Sequence, residues 1–184
     1  MKDSLRYLIA GIGTFALLAY IARSSRSSAA TPTVQSSNNN MYPNPLYTVR
    51  GYRNNNPLNI VYSAKNDWAG QIVPSTDSRF AQFVNMAYGY RAAFRTLRTY
   101  INSYGANTLR KIIERWAPPS ENDTNSYLTT VANYSGVVPD ATLSETDARL
   151  KKVVEAMSIV ENGSSVSVPI DSLNQGWNLY LQSI

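Results

Sequence analysis

Along the chain, one apolar run is followed by a polar stretch without a period, and then by segments whose apolar residues recur at helical spacing. From Tyr7 to Ala22 there are 16 residues without a charge, about 24 Å of helix at ~1.5 Å per residue. Leu5 extends the run, and Arg6 and Arg23 can snorkel to the two interfaces of a bilayer core about 30 Å thick. The pattern predicts one transmembrane anchor over residues 1–23. A cleaved secretory signal is the competing reading, with Lys2 and Arg6 as its basic start and Ser28-Ala29-Ala30 as its cleavage site; Arg23 and Arg26 stand between run and site and speak against it. Residues 24–45 are rich in Ser, Thr, Asn and Pro. They read as a flexible polar tether, with a root-mean-square reach of about 25 Å for a coil of ~22 residues.

Residues 46–184 carry the periodic segments and predict one globular domain. Short β-prone pieces come first: Leu58 to Tyr62, then Gln71–Val73 and Phe80–Phe83 flanking the turn-rich Pro74–Ser78, as in a small hairpin. Asp77 reads there as a turn residue. Over residues 87–103, Tyr90, Phe94, Leu97 and Ile101 form an apolar helical stripe, while Arg91, Arg95 and Arg98 line another face, read as solvated or as an anion-binding strip. A helix over Asn107–Trp116 presents Leu109, Ile112, Ile113 and Trp116 inward, with Arg110 and Glu114 spaced for a surface ion pair. The next carries Tyr127, Leu128, Val131 and Tyr134. Ser144 to Asp147 resembles a capping box before a helix with Leu150, Val153, Val154, Met157 and Val160 inside. Trp177, Tyr180 and Leu181 mark a last helix. The fold class is mainly α (α+β), with a small β-hairpin and a preceding transmembrane helix.

Composition narrows the chemistry. The chain has no Cys and no His, which excludes disulfides, thiol nucleophiles, Ser-His-Asp triads and His-ligated zinc. Acid–base work falls to the twelve Asp and Glu residues. No EF-hand spacing appears, so neither a metal nor a cofactor is implied. The net charge is +5, but Lys2, Arg6, Arg23 and Arg26 against Asp3 account for most of it. The domain is nearly neutral, which makes nucleic acid an unfavoured partner.

The segment Arg50-Gly-Tyr-Arg-Asn-Asn-Asn-Pro-Leu-Asn-Ile60 places consecutive asparagines where a loop is expected. Their amides both donate and accept hydrogen bonds, which suits a sugar and equally suits an Asx-rich turn. An RNNNPxNI segment, Trp68-Ala-Gly70, Phe80 to Phe83, a Tyr88-Gly-x-Arg-Ala helix and the WAPPSENDT segment from Trp116 to Tyr127 follow in order. Over residues 50–137 this series resembles a family of phage and prophage virion structural proteins. More distantly, the order is similar to the glucosaminidase and lytic-transglycosylase branch of the lysozyme-like superfamily, which implies a lysozyme-like helical domain acting on peptidoglycan glycan strands. Asn55, Asn56, Asn59, Trp68, Trp116 and Tyr127 make up the candidate substrate-binding set. Those enzymes place a catalytic glutamate upstream of the asparagine segment, and residues 27–58 contain no acidic residue.

A substitute acid is therefore needed. Glu121 is the first candidate, in a loop with Trp116 and Tyr127 near it in sequence; capping of the following helix is its structural alternative. Asp67, beside Trp68, is the second. Three functions follow: a membrane-anchored virion protein that cleaves peptidoglycan, a structural or glycan-binding virion protein on the same scaffold, and a DNA-associated protein resting on the arginine strip. The lipid membrane, through residues 7–22, and other virion proteins are the further expected partners.

Overall fold

The computed structural model describes residues 49–184, so the expected anchor and tether lie outside the described residues. Among the described residues no helix is long and apolar enough to cross a membrane. The chain forms a one-turn helix α1 (Arg50–Arg53) and two short strands, β1 (Gln71–Ile72) and β2 (Gln82–Phe83). Five helices follow: α2 (Met86–Tyr104), α3 (Leu109–Trp116), α4 (Thr124–Ser135), α5 (Arg149–Asn162) and α6 (Ile170–Leu181). The strands pair antiparallel with Gln71 opposite Phe83 and Ile72 opposite Gln82. This is the mainly α architecture with a small hairpin that the periodicity predicts.

The core lies between α2 and its neighbours. The stripe on α2 buries Tyr90, Phe94 and Leu97 completely. Phe94 meets Trp177 edge-on at 4.9 Å and stacks on Tyr180 at 5.8 Å, which fixes α6 along α2. Fully buried side chains of this kind each contribute about 1.5–3 kcal/mol relative to exposure. The two helices approach closely at Gly176, where an added Cβ would lie 2.6 Å from Tyr90 Cβ and 2.7 Å from the Ala87 carbonyl. On the other side, α3, α4 and α5 bury Ile112, Ile113, Trp116, Val131, Val153, Val154 and Met157 against one another.

Local differences from the sequence reading have physical causes. The Leu58–Tyr62 segment makes only an isolated bridge, Val61 to Phe80: Ala81 N–H donates to the Ile60 carbonyl and Tyr62 N–H to the Arg79 carbonyl, but the Asn56 side chain takes the Ile60 N–H that would extend a ladder. Arg110 forms a two-point ion pair with Asp140, at 2.8 and 3.0 Å, rather than with Glu114. The arginine face of α2 is half-buried, not solvated: Arg98 pairs with Glu145 at 2.6 Å and Arg95 donates to the Ser183 carbonyl at 3.2 Å. No capping box forms before α5. Asp147 instead accepts from the Arg149 backbone N–H, and Ala148 occupies the cap position. Tyr134 is more than half exposed. Asp77 is more than a turn residue, since Arg50 grips its carboxylate with two bonds of 2.8 and 2.7 Å and joins α1 to the hairpin.

Candidate functional site

The RNNNPxNI loop is shaped by its asparagines. Asn55 and Asn59 both take φ near +50°, a left-handed conformation that asparagine tolerates better than most residues. Asn54 donates to Asp77 and accepts from Gln82. Asn55 donates to the Phe83 carbonyl at 3.0 Å. The Asn56 amide accepts from Ile60 N–H and donates to the carbonyls of Ile60 and Ala81, all within 2.9 Å. These three amides are engaged in tying the loop to the hairpin.

Asn59 points elsewhere, toward the C-terminal end of α5. Its Nδ2 donates to Glu161 Oε2 at 3.2 Å and to the Glu161 carbonyl at 3.4 Å. The other carboxylate oxygen, Oε1, accepts from Trp116 Nε1 at 3.1 Å and from the Tyr127 hydroxyl at 3.0 Å. Trp116 ends α3, Tyr127 lies on the inner face of α4, and Glu161 sits in the last turn of α5, so four separate segments converge on one carboxylate. Trp116 is fully buried and Tyr127 nearly so, whereas Glu161 and Asn59 retain partial exposure. The carboxylate is thus enclosed by protein but its residue keeps a side open to solvent.

The electrostatics raise the pKa of Glu161. Burial pushes its carboxyl above the ordinary range, and the hydrogen bonds from Trp116, Asn59 and Tyr127 offset this only in part. Its position adds to the effect, because the C-terminal end of a helix carries partial negative charge, and the last turn of α5 has no basic residue. All three donors are uncharged. Burial and the adjacent negative charge likewise raise the Tyr127 hydroxyl well above its usual value.

Beside the carboxylate lie two buried amide oxygens without a hydrogen-bond partner, Asn59 Oδ1 and Asn162 Oδ1. Asn162 donates to the carbonyls of Pro57, at 2.6 Å, and Ser158, at 2.8 Å, which clamps the loop onto α5. Both oxygens face Gly51: a Cβ there would lie 2.3 Å from Asn162 Oδ1 and 3.0 Å from Asn59 Oδ1. Only glycine permits this packing.

Of the residues singled out in the sequence, the fold gathers Asn59, Trp116 and Tyr127 around Glu161. Asn55 and Asn56 serve the loop, and Trp68 packs partly buried against the core with its indole N–H unpartnered. Glu121 and Asp67 are exposed. Glu121 lies in the turn before α4, whose cap is Asp123, accepting from Ser126 N–H at 3.0 Å. Glu161 is the residue that sequence reasoning missed. Its signal is present: Leu150, Val154, Met157 and Glu161 repeat at i, i+4, i+7 and i+11, so an acid occupies the apolar stripe of α5.

The fold and this site define a small, mainly α-helical domain that holds a half-buried glutamate whose side-chain hydrogen-bond donors are all uncharged. No family model matches the chain. The chain is 38% identical over 145 residues to Protein P5 of Pseudoalteromonas phage PM2, covering 76% of this chain and 89% of that protein. It belongs to the family of that phage protein.

Proposed function

We propose that this is a membrane-anchored phage virion protein whose domain binds peptidoglycan glycan strands and cleaves them, with Glu161 as the general acid. The observation that carries this reading is the convergence of Asn59, Trp116 and Tyr127 on one enclosed carboxylate with a raised pKa. Burial shifts such a carboxyl toward its protonated form, and a protonated carboxyl can deliver its proton to a glycosidic oxygen. The N-acetyl group of an amino sugar can act as the internal nucleophile, so a single protein acid suffices. The resemblance to lysozyme-like enzymes lacked an acid upstream of the asparagine segment. Glu161 lies downstream in sequence but against that same segment in space, and so supplies the missing group by a different chain order. Residues 7–22 hold the protein in the virion or host membrane, near the wall it acts on.

One observation favours a second reading, a non-catalytic structural or glycan-binding virion protein. Trp116 is fully buried and two of the three donors saturate one carboxylate oxygen, as in a polar network that serves the fold alone.

The test is release of soluble muropeptides from purified peptidoglycan by the full chain. The parent should release them, Glu161→Gln should lose at least about 100-fold, the usual scale of a general acid, and Glu121→Gln and Asp67→Asn should retain activity. No release by folded parent protein overturns cleavage and leaves the second reading. Loss in Glu121→Gln or Asp67→Asn with Glu161→Gln active would move the acid.

A further inference from the structure

The hairpin carries exposed apolar side chains. Ile72, Val73 and Val84 are 40%, 66% and 56% exposed, Tyr62 is 37% exposed, and Pro74 is exposed beside them. The register places Ile72 opposite Gln82, so Ile72, Gln82 and Val84 share the outer face of the sheet. Phe80 continues that face but is buried, 6% exposed beneath two guanidinium groups, Arg50 of α1 at 4.5 Å and Arg79 at 5.4 Å from its ring centre, so the open part of the face is Ile72 and Val84. An apolar centre with a cationic rim is the composition of a surface that meets lipid headgroups and the acyl boundary beneath them.

Two further observations point to the same occupant. Residues 49–84 hold Arg50, Arg53, Lys65 and Arg79 against Asp67 and Asp77, whereas residues 85–184 hold nine basic and nine acidic side chains. The net positive charge of the domain is therefore confined to the hairpin and the loop that carries it, and anionic lipid attracts such a segment by about 1 kcal/mol per basic residue near the surface. In addition, the described chain begins at this same place: α1 starts at Arg50, whose guanidinium is bound to Asp77 in the hairpin turn. The 48 residues that precede it include the uncharged Tyr7–Ala22 run, so the path to that run leaves the domain beside the hairpin.

We infer that the outer face of the hairpin at Ile72 and Val84, together with the exposed Val73 just past the end of β1, docks onto the anionic bilayer in which residues 7–22 are anchored, and so sets the orientation of the domain. This inference rests on the anchor in the proposed function and is independent of whether Glu161 cleaves glycan. The docking adds a second membrane contact to the first, and tethering makes that contact effectively intramolecular.

The chain has no cysteine, so single-site labelling reports the geometry directly. Full-length Val73→Cys and, as a control, Val138→Cys, 68% exposed in the turn after α4, would each carry an environment-sensitive fluorophore. Each would be reconstituted into vesicles of phosphatidylcholine with phosphatidylglycerol and into vesicles of phosphatidylcholine alone. Flotation of the vesicles first reports the anchor. Docking predicts that the label at 73 shifts to shorter wavelength and is quenched by spin-labelled lipid in anionic vesicles, that the label at 138 is not, and that adding Ile72→Glu and Val84→Glu abolishes the shift at 73. A floating protein whose residue 73 stays in water overturns the docking and leaves the anchor; equal quenching at both sites overturns it as well. Failure to float overturns both, and the muropeptide assay still decides cleavage by itself.

Discussion

At Glu161 the protein holds a carboxyl where a helix end and its surroundings both disfavour charge, and that choice has a measurable consequence for stability. Because the folded-state pKa is raised from 4.5, the native protein keeps a proton that the unfolded chain releases between the two values. Stability therefore falls as pH rises through that window, by about 1.4 kcal/mol for each pH unit that the window spans. Glu161→Gln removes the titration. Its thermal midpoint should exceed the parent's near neutral pH, with the gap closing as pH falls below the ordinary carboxyl value; a gap independent of pH would show that Glu161 does not titrate this way. The unpartnered oxygens support the same conclusion. When Glu161 is neutral it needs an acceptor, and reversal of the Asn59 amide would turn its unpartnered Oδ1 toward the carboxyl. None of this was evident in composition. Glu121 and Asp67 drew attention through aromatic neighbours in the chain, whereas Glu161 occupies the apolar stripe of α5, in a position where a leucine would be unremarkable.

Among the elements, the long helices were legible because each repeats apolar residues over two or more turns, and the hairpin because turn residues separate its two strands. What escaped the sequence were long-range polar contacts that override local rules. Arg110 has Glu114 four residues away yet binds Asp140, and Asp77 sits in a turn yet joins two elements. Asp77 accepts from the Arg50 side chain, Asn54, and the backbone N–H groups of Arg79 and Phe80, which holds its carboxyl well below the ordinary value of 3.8. Its contribution is fully present above that value and is lost as pH falls toward the depressed one. Asp77→Asn should cost about 1–3 kcal/mol at neutral pH, with the difference from the parent shrinking in acid, as followed by denaturant unfolding at several pH values. At the α2–α6 contact the constraint is steric. Gly176→Ala places a methyl group against Tyr90 Cβ and the Ala87 carbonyl, so it should destabilise by about 1–3 kcal/mol although alanine is the better helix former. A neutral or stabilising result in a melting experiment would mean that the two helices separate readily.

On the scale of the whole molecule, the motif-bearing stretch of residues 50–137 is not a self-sufficient unit. It supplies Asn59, Trp116 and Tyr127, but the carboxylate they surround arrives from α5, and the aromatic face of α2 is covered by α6. The asparagine loop joins these parts to the hairpin: Asn54, Asn55 and Asn56 bind the hairpin side, while Asn59 reaches Glu161 and Asn162 grips the Pro57 carbonyl. A site held in this way requires all of its contributors at once. A chain ending at Asp140 would leave Phe94 without Trp177 and Tyr180, and would leave Trp116 and Tyr127 with donors and no acceptor, each such orphan costing about 1–3 kcal/mol. Losses of that size exceed what a domain of ordinary stability withstands. The truncated chain should therefore lack a cooperative unfolding transition and should lose its near-ultraviolet circular dichroism, the signal of fixed aromatic packing. A truncated chain that kept both would place the folding unit within the motifs and reduce α5 and α6 to an appendage, and Glu161 would then be a partner the motif residues can do without.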